Sequence, residues 1–199
     1  VLPASALPQL NREGLIVQVH NSPFTHARDQ ALGPIFQFQT NLNTSAKTGE
    51  AGLYLLQFQG PTRGEWLSAL ESEGLDVLQY LHPFTYVVWG TPADLARSQT
   101  LPAVRWIGTH QAIKAGQPQN RITSAAPVLT RAVVYRGADL AALQKRFEAL
   151  GADWLSQAEV AADPLFSLVK MTLPGDQMAA AAALPGVYAL HPLPRDGGD

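Results

Sequence analysis

The sequence predicts an α+β fold built from two tandem β-α-β-β-α-β units, each an antiparallel sheet with its helices on one face, preceded by an extended N-terminal arm. Three observations predict it. The chain repeats itself at a near-constant offset. Within each copy, strand-length apolar runs and amphipathic helical stretches follow one another in the same order. Glycine and proline punctuate the two copies at matching places.

The repeat is visible by sliding the chain along itself. Phe58-Gln59-Gly60 lines up with Tyr135-Arg136-Gly137, an offset of 135 − 58 = 77. The same offset pairs Leu70 with Phe147, Glu71 with Glu148, Gly74 with Gly151 and Leu78 with Leu155. Further on, Leu101-Pro102-Ala103-Val104 matches Leu184-Pro185-Gly186-Val187 at 184 − 101 = 83. The difference of six places an insertion in the second copy between Leu155 and Pro174.

In the first copy, Gly52 to Phe58 is a nearly continuous apolar run of strand length, ended by Gly60-Pro61. Glu65 to Glu73 carries Trp66, Leu67, Ala69 and Leu70 at helical spacing, and Gly74 supplies the stop. Leu75 to Tyr80 and Phe84 to Trp89 read as strands around the His82-Pro83 turn, the latter rich in β-branched and aromatic residues. Thr91 is a helix N-cap with Pro92 at the first helical position. That helix ends near Leu101-Pro102, and Val104 to Gly108 is the fourth strand. In the second copy the strands fall at Ala132 to Tyr135, Trp154 to Val160, Phe166 to Leu173 and Val187 to Leu190. The helices are Leu140 to Leu150 and the alanine-rich Asp176 to Leu184. This order is the split βαβ, or ferredoxin-like, arrangement.

The resulting organisation is an arm over 1–50, a first unit over 51–116, a linker over 117–127, a second unit over 128–193 and a tail over 194–199. The linker contains Gly116-Gln117-Pro118-Gln119-Asn120. Within the arm, Leu15 to Val19 and Ile35 to Phe38 read as short strands, and the arm is expected to pack along an edge of the first sheet.

Composition narrows the function. The 199 residues are 46% hydrophobic and 15% charged, with a net charge of −2, so a core is available and the basic footprint of a nucleic-acid binder is absent. There is no cysteine, which removes disulfides, thiolate metal sites and cysteine nucleophiles. No apolar run approaches the ~20 residues of a membrane span. Val1-Leu2-Pro3-Ala4-Ser5-Ala6 is compatible with the start of a secreted chain after removal of a leader.

No catalytic constellation is legible. His20, His26, His82, His110 and His191 form no HExxH pattern, and none stands four residues from another on a predicted helix. They read as turn or strand-end histidines, so no metal and no cofactor is expected. No GxSxG elbow is present. Glu65, Glu71 and Glu73 read as a solvated helix face. Trp66, Trp89, Trp106 and Trp154 read as core or sheet-face residues; the glycine-aromatic signature of RNA-binding sheets is missing.

The stretch Tyr54 to Gly108 resembles the prodomain-like region that precedes the catalytic domain in a group of secreted subtilisin-like serine proteases. The resemblance rests on the strand before Gly60-Pro61, on Trp66, on the Gly74-to-Tyr80 strand entry, and on the ending Leu101-Pro102-Ala103-Val104-Arg105-Trp106-Ile107-Gly108. Pro194 to Asp199 is similar to the segment joining such regions to the protease. The resemblance implies a secreted, non-catalytic pro-region acting in cis on a subtilisin-like catalytic domain, as an intramolecular chaperone and/or inhibitor, with no nucleic-acid or membrane partner. It further implies a protease-contacting tail of Leu190, His191, Pro192, Leu193, Pro194 and Arg195, laid through the substrate cleft as an extended strand. Pro192 and Pro194 each remove a backbone donor from that strand but favour its extended shape. The alternatives are an accessory interaction module retained by the mature protease, and an unrelated tandem binding a small molecule between paired sheets.

Overall fold

The computed structural model describes residues 49–110, 113–114, 125–159 and 163–193. The arm's expected strands, most of the expected linker, and Pro194 and Arg195 lie outside the described residues.

The fold is α+β, with two sheets that are antiparallel apart from one short parallel edge pairing in the second. The first sheet contains β1 (Gly52–Phe58), β2 (Asp76–Leu81), β3 (Thr85–Gly90) and β4 (Val104–Thr109), in the spatial order β2-β3-β1-β4. The second contains β5 (Ile113–Lys114), β6 (Pro127–Tyr135), β7 (Asp153–Glu159), β8 (Phe166–Pro174) and β9 (Val187–Pro192), in the order β5-β9-β6-β8-β7. Helices α1 (Gly64–Ser72) and α2 (Pro92–Ser98) follow β1 and β3; α3 (Leu140–Ala149) and α4 (Met178–Ala182) follow β6 and β8.

Each unit buries its helices on one side of its sheet. Tyr54, Leu56 and Phe58 of β1, Val88 of β3 and Ile107 of β4 form a core with Leu70 of α1 and Leu95 of α2. In the second unit Ala132, Val134, Val169, Met171 and Leu190 meet Leu143 and Phe147 of α3 and Ala181 and Ala182 of α4. Helix ends follow local chemistry. Thr91 and Asp94 form a capping box at the start of α2, the Thr91 N–H donating to Asp94 Oδ2 at 2.8 Å. Gly74, at φ +91°, ends the turn after α1 in a conformation an L side chain resists.

The other faces of the two sheets pack against each other. Leu53, Leu55 and Val87 of the first sheet share a cluster with Tyr135 and Phe166 of the second, flanked by Leu78, Trp89, Trp106, Val133 and Tyr188. Trp89 and Tyr135 have ring centroids 5.2 Å apart, and Phe166 and Tyr188 4.9 Å. Tyr135 Oη donates to Asp76 Oδ2 at 2.9 Å across the seam, and Tyr188 Oη donates to Gln79 Oε1. The layers therefore run helices, sheet, sheet, helices. This explains why every residue of β1 is buried and why its sequence shows no polar–apolar alternation.

The structure corrects several details. Phe58 and Tyr135 are not equivalent: Phe58 faces the helices and Tyr135 faces the seam. The true partner of Phe58 is Val134, since each sits beside the bulge where β1 and β6 shift register, opposite Val104 and Val187. The first-strand offset is thus 134 − 58 = 76, while the helix offset stays at 77. A slip of one residue in a strand turns a side chain to the other face. The offset is still 77 at Leu78 and Leu155, the bulge residues of β2 and β7. It becomes 171 − 88 = 83 at Val88 and Met171, which face the equivalent Tyr54 and Thr130. The insertion therefore lies in the β7–β8 connection.

The helix predicted over 176–184 is a 3-10 turn at Gly175–Gln177 followed by the five-residue α4. Pro185 disfavours a helical Leu184. Strand β6 begins at Pro127, inside the predicted linker, and β5 lies parallel to β9 although it falls within the first unit's predicted bounds. Strand β9 runs two residues past Leu190. Leu155, the repeat partner of the seam residue Leu78, is 52% exposed.

Candidate functional site

The residues predicted to form a protease-contacting tail lie mostly inside the second sheet. Leu190 is 1% exposed in the helix-side core, opposite Ala132. His191 faces Arg131 and Pro192 faces Thr130 across the β6–β9 ladder. The Leu193 N–H donates to the Leu129 carbonyl at 2.7 Å. Leu190 to Leu193 are therefore held by the fold, while Pro194 and Arg195 lie outside the described residues. The sequence places the end of this strand at Leu190, but β9 runs on to Pro192, whose missing donor the ladder tolerates near the strand end.

The same four residues border an uncovered part of the second sheet's seam-side face. Arg131 lies directly opposite Lys170 of β8 on one side and His191 of β9 on the other, and Lys170 faces Ser156 of β7. Residues opposite one another point to the same face, so Lys170, Arg131 and His191 form a row across three strands. Arg131 and Lys170 are exposed and His191 is half-buried. No ion pair among the described residues involves Arg131 or Lys170; the paired arginines are Arg63, Arg97, Arg136 and Arg146. Partial burial holds the His191 imidazole below its ordinary pKa, and the Arg131 charge lowers it further. One row along, Asp153 is engaged by the Thr172 hydroxyl at 3.1 Å.

Sequence reasoning missed Arg131 and Lys170, although the repeat carries the signal once its offset is corrected. Arg131 corresponds to Leu55 (131 − 76), Lys170 to Val87 (170 − 83) and His191 to Gly108 (191 − 83). Leu55 faces both Val87 and Gly108, as Arg131 faces Lys170 and His191. In the first unit this row is apolar and buried in the seam; Leu55 is 3% and Val87 0% exposed. In the second it is basic and open.

The remaining candidates are dispersed. His82 sits exposed in the β2–β3 turn. His110 follows β4 and stacks on Tyr188 at the edge of the seam, centroids 5.1 Å apart at 20°. Its Nδ1 is shielded with no partner among the described residues, and burial pushes its pKa down to about 4. Glu65 pairs with Arg63 and Glu73 with Arg97 at the surface. Trp66 packs on Phe58, Trp154 on Phe147, and Trp89 and Trp106 line the seam. Among the described residues, no group of three or more His, Cys, Asp or Glu side chains is placed to hold a metal ion. No helix among them is long and apolar enough to cross a membrane.

A family described as a domain of unknown function (DUF8729) matches residues 18–111, just under half of the chain. No curated protein matches the chain.

Proposed function

We propose that this chain is the non-catalytic N-terminal region of a secreted subtilisin-like serine protease, acting in cis on the catalytic domain as a folding aid and inhibitor. We further propose that both units are of the ferredoxin-like type. The strand orders β4-β1-β3-β2 and β9-β6-β8-β7, with helices after the first and third strands, support that assignment.

The observation that carries the functional reading is the exit of the chain. Leu193, the last described residue, is pinned to Leu129 beside an open sheet face. A segment leaving there and a face beside it are the two parts a cis-acting inhibitor and chaperone needs. The first unit's sheet is spent on covering the far half of the second, which gives it the part of a scaffold.

A retained accessory module is the second reading. It draws on the seam, which hides most of both sheets' open faces, leaving a docking area smaller than a whole sheet. Binding of a small molecule between the sheets is less well supported, because Trp89, Tyr135, Phe166 and Tyr188 fill that space. The N-terminal sequence and intact mass of the secreted, active protease separate the first two readings. The pro-region reading expects a mature N-terminus beyond Leu193; a mature enzyme still carrying β1 to β9 contradicts it.

A further inference from the structure

We propose that the outer edge of β4 is the docking site of the chain's own N-terminal arm, with Ile35 and Phe36 lying parallel to β4 as Ile113 and Lys114 of β5 lie parallel to β9.

The first observation is an asymmetry between two equivalent edges. Strands β4 and β9 are the fourth strands of their units, and each pairs on its inner side with the first strand. Outside β9 stands β5, with Ile113 opposite Ala189 and Lys114 opposite Leu190. Strand β4 has no outer neighbour among the described residues. The His110 N–H donates to the Leu53 carbonyl, so the alternate residues Ile107 and Thr109 turn their backbone N–H and C=O groups outward. Such an edge is a template for another strand.

The second is a repeat that extends beyond the two sheets. The lead-in to the second unit, Ile113 to Ala125, recurs in the arm. Ile113 and Gln117 match Ile35 and Gln39 at 113 − 35 = 78. Asn120, Thr123, Ser124 and Ala125 match Asn41, Thr44, Ser45 and Ala46 at 120 − 41 = 79. The family match over 18–111 likewise takes in the arm with the first unit and stops short of β5. Transferring the register of β5 sets Ile35 beside Trp106 (189 − 83) and Phe36 beside Ile107 (190 − 83).

The third is reach. Strand β1 starts at the end of the sheet where β4 finishes, since Tyr54 faces Thr109. A strand outside β4 and parallel to it ends there too, two strand spacings or about 10 Å from β1. The link from Phe36 to Gly52 is 52 − 36 = 16 residues, against 127 − 114 = 13 from Lys114 to Pro127, so both links span that gap.

The test uses the whole chain, which has no cysteine, so an engineered pair reports proximity without background. Phe38→Cys with Thr109→Cys probes the β4 edge, because the same register sets Phe38 beside Thr109. Phe38→Cys with Tyr80→Cys probes the opposite edge of the sheet, at β2. After mild oxidation, intact mass and non-reducing gels are expected to show a disulfide within one chain for the first pair and little or none for the second. Equal or preferential linking at Tyr80 overturns the placement, and so does a first pair that stays reduced. A first pair that links only two chains also overturns it, and gives the edge to a second copy. Where a cysteine variant melts below the native chain, amide exchange decides. In the native chain Ile107 and Thr109 are expected to exchange as slowly as Leu190, and Phe36→Pro to speed both by about tenfold or more while leaving Leu190 unchanged. Rapid exchange at Ile107 in the native chain, or no response to Phe36→Pro, overturns the proposal.

Discussion

Leu78 and Leu155 occupy the same bulge in the second strand of their respective units, yet Leu78 packs into the seam between the sheets while Leu155 is 52% exposed. A repeat-equivalent pair with opposite burial shows that the two sheets overlap only in part. The uncovered portion belongs to the second unit and runs from Leu155 of β7 across Lys170 and Arg131 to His191 of β9.

That difference predicts a difference in stability. Leu78→Ala removes a side chain from a packed interface and is expected to cost about 1–3 kcal/mol, while Leu155→Ala is expected to stay within about 0.5 kcal/mol of the native chain. Urea unfolding of the two variants measures both. Equal losses contradict the partial overlap.

The hydrogen bond from Tyr135 to Asp76 joins the two sheets through their side chains. Tyr135→Phe keeps the ring against Trp89 and removes only the donor. Asp76 lies at the surface and regains water, so the expected loss is about 1 kcal/mol. A much larger loss in a thermal or urea melt indicates that the bond, and not ring packing, holds the seam.

His110 predicts a pH dependence. Its folded pKa, about 4, lies below its ordinary 6.5, so the unfolded chain takes up the proton first as pH falls. Stability from this group is complete above pH ~6.5, declines as pH falls toward 4, and is then fully lost, a change of at most about 3 kcal/mol. His110→Phe keeps an aromatic ring against Tyr188 and cannot titrate. The native chain is expected to lose more stability than this variant between pH 7 and 4; parallel pH profiles contradict the assignment.

Much of the fold was legible in the sequence because each unit sets strong local signals. The strand at Gly52–Phe58, the N-cap at Thr91 and the glycine stop at Gly74 all follow from nearest-neighbour chemistry. What was not legible depends on contacts distant in sequence. Nothing near Leu155 says that the first sheet stops short of it. The true offset of β1 and β6, 76 and not 77, emerges only from which face each side chain takes. That single residue concealed the candidate site: with Phe58 set against Tyr135, Arg131 falls opposite Tyr54, and its exchange for the buried Leu55 goes unseen. The end of β9 was placed two residues early for a related reason, because ladder pairing of Pro192 with Thr130 is set by β6 and not by the proline's own preference.

The most direct test of the central claim is the refolding of the denatured catalytic domain with this chain added in trans, followed by an inhibition assay on the refolded enzyme. The full chain and a version ending at Leu193, which keeps all of β9, are compared. The account predicts that both raise the yield of active enzyme, since both retain the docking face. Only the full chain then inhibits strongly, since only it has the segment that reaches the cleft. Unchanged refolding yield and undiminished activity with either form contradict the account.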